Sequence, residues 1–298
     1  MNAERSTITL GDGRAVEVLT EGPPDGLALV IHHGTPGGGL VTHPPKSEAE
    51  LARGLRTVHF ARPGYGESTP QPGRRVADVA RDVAEILDAL GAGTFITWGA
   101  SGGGPHALAC AALLPGRCLA AATIAGVAPS DAEGLDWVAG MGPENIEEFG
   151  AAQRGPADLT ALLDKEAAGL GTVTGADIIE GLGGLIGDAD KAVLIGEYAD
   201  YQAAALQGAL RAGVAGWRDD DIAFVTNWGF SLDGLPAPVA IWQGDDDRMV
   251  PFGHGQWLAA RIPGAQPHLL PGEGHLSLAE HHYGEILDDL LRLAALAG

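Results

Sequence analysis

The chain has 298 residues, enough to bury a large core as one domain or as one domain with an insertion. Its 39 acidic residues outnumber its 18 basic ones and give a formal charge of −21, with no local basic patch, so binding to nucleic acid or to an anionic membrane surface is not expected. No apolar run approaches the roughly 18 residues of a membrane span, and residues 1–10 lack the apolar centre of a signal peptide, so we expect a cytoplasmic protein.

The amino-terminal part of the chain is predicted to form strands. Residues 6–10 and 14–20 alternate in polarity around a Gly-Asp-Gly turn, which is typical of a β-hairpin. Two short continuous apolar runs, residues 27–31 and 57–60, are typical of strands that are covered on both faces.

Helices and further strands then alternate. Apolar residues between Val76 and Leu90 recur at i, i+3 and i+4, which predicts an amphipathic helix. Further strands are predicted at residues 94–99, 119–124, 238–242 and 267–270, and further helices after residue 105, from about residue 251 and over residues 276–296. This alternation predicts an α/β fold with a mostly parallel, doubly wound sheet.

The alternation breaks between residues 129 and 231. This stretch has no convincing strand, several helix-like pieces and half of the large aromatic side chains, so we interpret it as a helical insertion in a core formed by residues 1–128 and 232–298. Aromatic side chains with a polar tip supply large apolar surfaces for binding. We therefore expect four of them to line a substrate pocket: Trp137, Tyr198, Tyr201 and Trp228.

Residues 94–106, TFITWGASGGGPH, read as strand, sharp turn and helix. Gly99, Ser101 and Gly103 have the G-x-S-x-G spacing of a nucleophile elbow, in which a serine sits on a strained turn above the end of a buried strand. Glycine is needed on both sides because the turn leaves no room for Cβ atoms, and the following helix N-terminus favours a nearby anion. The alternative is a glycine-rich turn whose serine only caps the helix.

A serine hydroxyl is a weak nucleophile, so it needs a base and a third group that orients the base. Asp245, Asp246 and Asp247 follow the strand at 238–242, and His275 follows the next strand. Loops after parallel strands meet at one edge of a sheet, so Ser101, one of these aspartates and His275 are expected to meet. Three adjacent acids are also typical of a solvated loop.

At this point the chain resembles the α/β-hydrolase superfamily over nearly its whole length. Five motifs stand in the family's order: HGxPG at 33–37, RPGxGxS at 62–68, the elbow, G-x-x-D-x-x-V-P at 244–251 and Gly-His at 274–275. The resemblance implies Ser101 as nucleophile, His275 as base and Asp247 as the acid that orients it. It further implies that the backbone N–H groups of Thr35 and Gly102 form the oxyanion hole and that residues 129–231 are a helical cap.

The implied function is a serine hydrolase that cleaves a small or medium ester, lactone or amide. Its partner would be a small-molecule substrate, and the chain would be a monomer or a homodimer. We expect no cofactor and no metal, because no zinc-type spacing, Walker loop or EF-hand loop is present, and Cys110 and Cys118 are expected to be buried free thiols.

Other functions stay open on the same residues. They are a proline-iminopeptidase-like aminopeptidase, a C–C or cyanohydrin lyase, and a ligand-binding, receptor-like member with slow turnover. His-Gly-Thr-Pro-Gly and Gly-Ala-Ser-Gly-Gly depart from the peptidase motifs HGGPG and GGSWG. However, Glu144, Glu147 and Glu148 could hold a substrate amine, unless they form a solvated helix face.

Overall fold

A computed structural model describes residues 3–38 and 40–297. Its centre is a sheet of eight strands: β1 (Glu4–Thr9), β2 (Ala15–Glu21), β3 (Leu27–His32), β4 (Leu55–Phe60), β5 (Phe95–Ala100), β6 (Cys118–Ile124), β7 (Val239–Gly244) and β8 (Gln266–Leu270). The strand order is β1-β2-β4-β3-β5-β6-β7-β8. Strands β1 and β2 form the predicted antiparallel hairpin, and the six strands from β4 to β8 in this order are parallel.

The helices in chain order are α1 (Pro44–Ala52), α2 (Val79–Ala89), α3 (Gly104–Leu113), α4 (Pro143–Arg154), α5 (Pro156–Leu170), α6 (Ile178–Leu182), α7 (Asp188–Val193), α8 (Gly196–Leu210), α9 (Ala215–Phe224), α10 (Phe252–Arg261) and α11 (Ser277–Ala297). Within the described part of the chain, no helix is long and apolar enough to cross a bilayer.

Helices cover both faces of the sheet, as a doubly wound fold requires. Side chains alternate between the faces along each strand, so Val30 and Val58 join α2, α3 and α10 in one core. Leu29 and Ile31 point to the other core, which α1 and α11 cover. Parallel strands that are buried on both faces need apolar side chains at consecutive positions, which explains the continuous apolar runs.

Helix α1 was not predicted from the sequence. It carries few apolar side chains, so its periodicity is weak, although Pro44 stands in its first turn, where proline is tolerated. Ala49 packs against the core under α11, and Tyr283 of α11 donates a hydrogen bond to Glu50. Tertiary contacts therefore hold a helix that its own sequence specifies weakly.

Helices α4 to α9 lie between β6 and β7, where the helical insertion was predicted. We call residues 125–238 the helical segment; none of its residues, all of which the structure describes, belongs to a strand. Cys110 and Cys118 are free and buried, as expected. The helical segment leaves the sheet at the carboxyl end of β6, on the edge of the sheet where the candidate site lies.

Candidate functional site

Ser101 occupies a strained position at the end of β5. Its φ of 54° is in the left-handed region, where residues other than glycine are uncommon. A Cβ atom at Gly99 would overlap the backbone of Gly103, and one at Gly103 would overlap the carbonyl oxygen of His32. The two glycines of the motif are therefore required by close backbone approach, and α3 begins directly behind the serine turn.

His275 is held by Asp247 across the loops that follow β7 and β8. Its Nδ1 lies 2.8 Å from Asp247 Oδ2, and both side chains are buried. The other Asp247 oxygen accepts the N–H groups of Met249 and Val250 at 2.9 and 2.8 Å. With Nδ1–H donating to the carboxylate, Nε2 is left as the proton acceptor.

The pKa of His275 is raised above its ordinary value. Burial acts to lower the pKa, but the carboxylates of Asp247 and Asp190 outweigh burial and favour the imidazolium. An imidazole in this setting can take up a proton and remain stabilised after doing so.

The three adjacent aspartates have three different partners. Asp245 accepts the N–H of Gly272 at 2.7 Å, and Asp246 accepts the N–H of Ala189 at 3.3 Å. Asp247 is the one whose carboxylate contacts His275.

Ser101, His275, Thr35 and Gly102 line the same cavity, which has a volume of about 370 Å³. Its other walls come from the sheet, from the loops after β3 and β7, from α1 and α11, and from the helical segment. The Ser101 hydroxyl makes no hydrogen bond to any residue that the structure describes. Ser101 and His275 share the lining of this cavity and are not joined by a hydrogen bond. Hydrogen bonds between such groups are often long without substrate.

Two of the four aromatic residues expected in the pocket, Tyr198 and Tyr201, line this cavity, whereas Trp137 and Trp228 do not. Trp137 is buried against Phe149 and donates its indole N–H to the carbonyl of Ala128 at 2.6 Å. Trp228 is buried in the core on the α2 side of the sheet. The expectation for these two tryptophans is therefore wrong, because each fills a core between elements instead of facing the cavity.

Arg62 braces the loop that contains Thr35. Its guanidinium donates to the carbonyls of His33 and Gly34 at 2.5 and 2.9 Å and to the Thr35 hydroxyl at 3.0 Å. It also pairs with Asp220 of α9 at 2.7 Å, and that carboxylate accepts the Thr35 hydroxyl at 2.8 Å. This ion pair ties the loop to the helical segment.

Asp220 is fully buried between two arginines. Arg74 pairs with its Oδ1 at 2.7 Å, and the Tyr65 hydroxyl donates to its Oδ2 at 2.9 Å. Burial alone would raise the pKa of the Asp220 carboxyl, but Arg62 and Arg74 hold that pKa well below its usual range.

A second pair of carboxyl groups lines the cavity itself. Asp221 is 1% exposed, and its carboxyl group is in hydrogen-bond contact with that of Glu148, while no other described residue bonds to it. Glu148 of α4 accepts the indole N–H of Trp217 at 2.7 Å. Burial raises the pKa of both groups, and Glu148 further raises that of Asp221. The raised pKa values favour a proton shared between the two carboxyl groups, and a ligand that donates hydrogen bonds could bind to their remaining oxygens.

Sequence reasoning missed several polar groups of this region. Lys46 and Glu50 line the cavity from α1, the helix without a clear periodic pattern. Asp220 and Asp221 stand in an acidic run whose individual partners no local pattern distinguishes. The partners of these groups lie far away in the sequence, so only the folded structure shows which groups pair.

Among the described residues, one group has a composition that suits a metal ion. Ligand atoms of Glu21, Glu50 and His59 lie within 4.8 Å of one another. Ser47 donates to Glu21 at 3.1 Å and Tyr283 donates to Glu50, so both carboxyl groups already have protein donors. Burial raises the pKa of Glu50 to about 7, which favours a proton there.

Residues 28–282 match a family described as alpha/beta hydrolase fold. A stretch of 150 residues is 33% identical to a non-heme chloroperoxidase of Streptomyces lividans; it makes up 49% of this chain and 53% of that protein, so the chain spans about half the length of the relative it matches. An esterase from Rhodococcus sp. ECU1013 has a similar structure, with a TM-score of 0.66 and 22% identity, covering 98% of this chain and 100% of that one. A bromoperoxidase from Bacillus anthracis has a TM-score of 0.70 and 22% identity, covering 97% of this chain and 100% of that one. At these identities the structural likeness shows the fold alone.

Proposed function

The chain belongs to the alpha/beta hydrolase fold family, and from this premise we propose that it is a serine hydrolase that cleaves a small or medium ester, lactone or amide through an acyl-enzyme on Ser101. One observation carries the proposal: the strained Ser101 shares a cavity with a histidine that a buried aspartate orients through Nδ1. That combination supplies a nucleophile, a base and an orienting acid.

In the proposed reaction, Ser101 Oγ attacks the substrate carbonyl carbon while His275 Nε2 takes the hydroxyl proton. The carbonyl oxygen becomes an oxyanion, which the N–H groups of Thr35 and Gly102 stabilise. The C–O or C–N bond then breaks, and His275 returns the proton to the leaving group. Water next attacks the acyl-enzyme by the same route, which releases the acid and restores Ser101.

The helical segment acts as a cap in this proposal. It contributes the wall opposite the sheet, including Tyr198, Tyr201 and Glu148, and it anchors the Thr35 loop through Asp220. A cap that covers the reacting carbonyl excludes water and strengthens the electrostatic contribution of the oxyanion hole.

Covalent labelling tests the proposed nucleophile. A fluorophosphonate should attach to one residue per chain, and Ser101→Ala should abolish both labelling and ester hydrolysis, since the hydroxyl is reactive only when a base activates it. Ser231→Ala, which changes an exposed serine, is the matched control and should label like the unmodified chain. Intact-mass analysis checks this; stoichiometric labelling that survives Ser101→Ala would contradict the proposal.

The two buried carboxyl groups of Asp221 and Glu148 favour a second candidate, a substrate with an amino group, as in an aminopeptidase. Asp221 and Glu148 line the cavity of Ser101, and a protonated amine would donate hydrogen bonds to them. Assaying p-nitrophenyl esters beside aminoacyl p-nitroanilides distinguishes the two candidates. Faster turnover of the anilides, lost in Glu148→Gln, would favour the aminopeptidase; faster turnover of the esters would favour the esterase.

A further inference from the structure

Asp190 lies in helix α7 of the helical segment and is fully buried at the loop that carries His275. One carboxylate oxygen accepts the backbone N–H of His275 at 3.1 Å. The other accepts the N–H groups of Leu276 and Ser277 at 2.7 and 3.0 Å. These N–H groups lie at the start of α11, where backbone N–H groups have no partner within the helix. Asp190, 85 residues before His275 in the sequence, therefore caps α11.

The Asp190 carboxylate lies directly against the backbone of Gly274, the residue before His275. A Cβ atom at Gly274 would overlap the Asp190 carboxylate, so the approach depends on glycine beside the histidine. A second contact runs in the opposite direction, because Asp246 accepts the N–H of Ala189 at 3.3 Å. A Cβ atom at Gly187 would overlap the Asp246 carboxylate. Helix α7 and the two loops that carry Asp247 and His275 are thus joined by reciprocal contacts.

We propose that Asp190 is a positioning residue for His275, so that the base is in its reactive place only while helix α7 is docked on the core. The inference rests on the proposed serine-hydrolase function. Asp190 does not touch the substrate; it acts through the backbone of the histidine and through its negative charge. The cap therefore contributes to the reaction itself as well as to the pocket wall.

Asp190 acts through its hydrogen bonds to the backbone and through its negative charge, and the pH dependence of the reaction reports on the charge. The carboxylates that face His275 are Asp247, from the loop after β7, and Asp190. Glu273 of the same loop as His275 instead contacts Ser277, His281 and His282 of α11. Farther along α11, Glu280 lies 3.8 Å from Lys46 of α1.

On the acidic side of the pH–rate profile, which we call the acidic limb, the rate falls as His275 becomes protonated. Removing the Asp190 charge should shift this limb to lower pH. Ser101 is activated only when His275 is neutral, so the limb follows the pKa of the histidine in the free enzyme. Asp190 raises that pKa, and asparagine at position 190 therefore lowers it. A purely structural role would change the folded fraction and the melting temperature but would leave the limb where it is.

The test uses Asp190→Asn, with Asp188→Asn as the matched control, because Asp188 stands on the same helix with a side chain that is 99% exposed. The measurement is the second-order rate constant of fluorophosphonate labelling between pH 5 and pH 9, which requires no knowledge of the natural substrate. We expect Asp190→Asn to label on the order of 10- to 100-fold more slowly, as misplaced catalytic groups do, and its acidic limb to move to lower pH. Asp188→Asn should match the unmodified chain.

A second variant tests the geometry without changing the charge. Gly274→Ala pushes the Asp190 carboxylate away from the loop and should also slow labelling. Thermal unfolding of each variant shows whether it is folded at the assay temperature.

Folded Asp190→Asn with an unchanged rate and an unchanged limb would overturn the inference while the proposed function stands. A slower rate with an unmoved limb would reduce Asp190 to a structural residue and would also overturn it. No labelling of the unmodified chain would contradict the proposed function itself, and the inference with it.

Discussion

Asp245, Asp246 and Asp247 differ in role although they are adjacent and chemically identical. Asp247 is buried, with one oxygen on His275 and the other on two backbone N–H groups. Asp245 accepts a single backbone N–H from the loop at Gly272. The difference arises because the loop after β7 points each side chain in a different direction, so each carboxylate has its own partners.

Asp247→Asn should lower kcat by about 10³- to 10⁴-fold while the fold is retained, because asparagine neither holds His275 with Nδ1–H toward it nor stabilises the imidazolium. Asp245→Asn is the matched control and should lower kcat far less. Steady-state hydrolysis of a p-nitrophenyl ester, with circular dichroism of both variants, checks the prediction. The assignment of Asp247 would be wrong if the two variants exchanged their effects.

At the scale of elements, α9 connects the helical segment to the core. Asp220 on this helix pairs with Arg62 and Arg74 of the core, and the next residue, Asp221, lines the cavity. One helix therefore carries both the ion-pair contact and a cavity wall. A displacement of α9 would move the Thr35 loop, since Thr35 bonds to Asp220.

Asp220→Asn should lower the free energy of unfolding by about 3–5 kcal/mol, because it leaves two buried guanidinium groups without a counter-charge. Asp219→Asn on the same helix should cost much less, since the partner of Asp219 is its neighbour Arg218, whose side chain is 25% exposed and stays partly hydrated when the pair is broken. Urea unfolding of the two variants is the measurement. Equal losses in both variants would show that the buried ion pairs do not stabilise this junction.

At the scale of the whole molecule, the stability of the fold is expected to depend on buried histidines. His254 of α10 is 1% exposed; its Nε2–H donates to the carbonyl of Trp137 at 2.8 Å, and its Nδ1 accepts the N–H of Ala128 at 3.1 Å. Protonation of Nδ1 would replace this hydrogen bond by a repulsive contact between the Nδ1–H of His254 and the N–H of Ala128. Burial lowers the pKa of His254 to about 4.

The sign of the pH effect follows from that lowered pKa. Above about pH 6.5 the histidine is neutral in both states, whereas between pH 6.5 and 4 only the unfolded chain takes up the proton, so stability is lost as pH falls. From pH 7 to pH 5, the free energy of unfolding of the unmodified chain should fall by about 2 kcal/mol more than that of His254→Gln. Urea unfolding at both pH values tests this; parallel losses in the two proteins would show that His254 does not contribute to acid sensitivity.

From the amino-acid sequence we could predict the α/β class, all eight strands to within a few residues, the helical segment and the serine turn. These features are encoded locally: a strand that is covered on both faces needs a continuous apolar run, and an amphipathic helix needs its periodic face. The turn at Ser101 needs glycine at positions 99 and 103, where no Cβ atom fits. The order of motifs also indicated Ser101, Asp247 and His275 as one candidate site, because loops after parallel strands meet at one edge.

Which side chains face the cavity and which groups support the site became known from the three-dimensional arrangement of the elements. Tyr201 lines the cavity and Trp137 does not, although both are large aromatic residues of the same segment. Helix α1 forms against α11 without a strong pattern of its own, and Asp190 reaches His275 from 85 residues away. Such contacts depend on how separate elements pack, since a buried polar group needs a partner but its local sequence does not say where the partner lies.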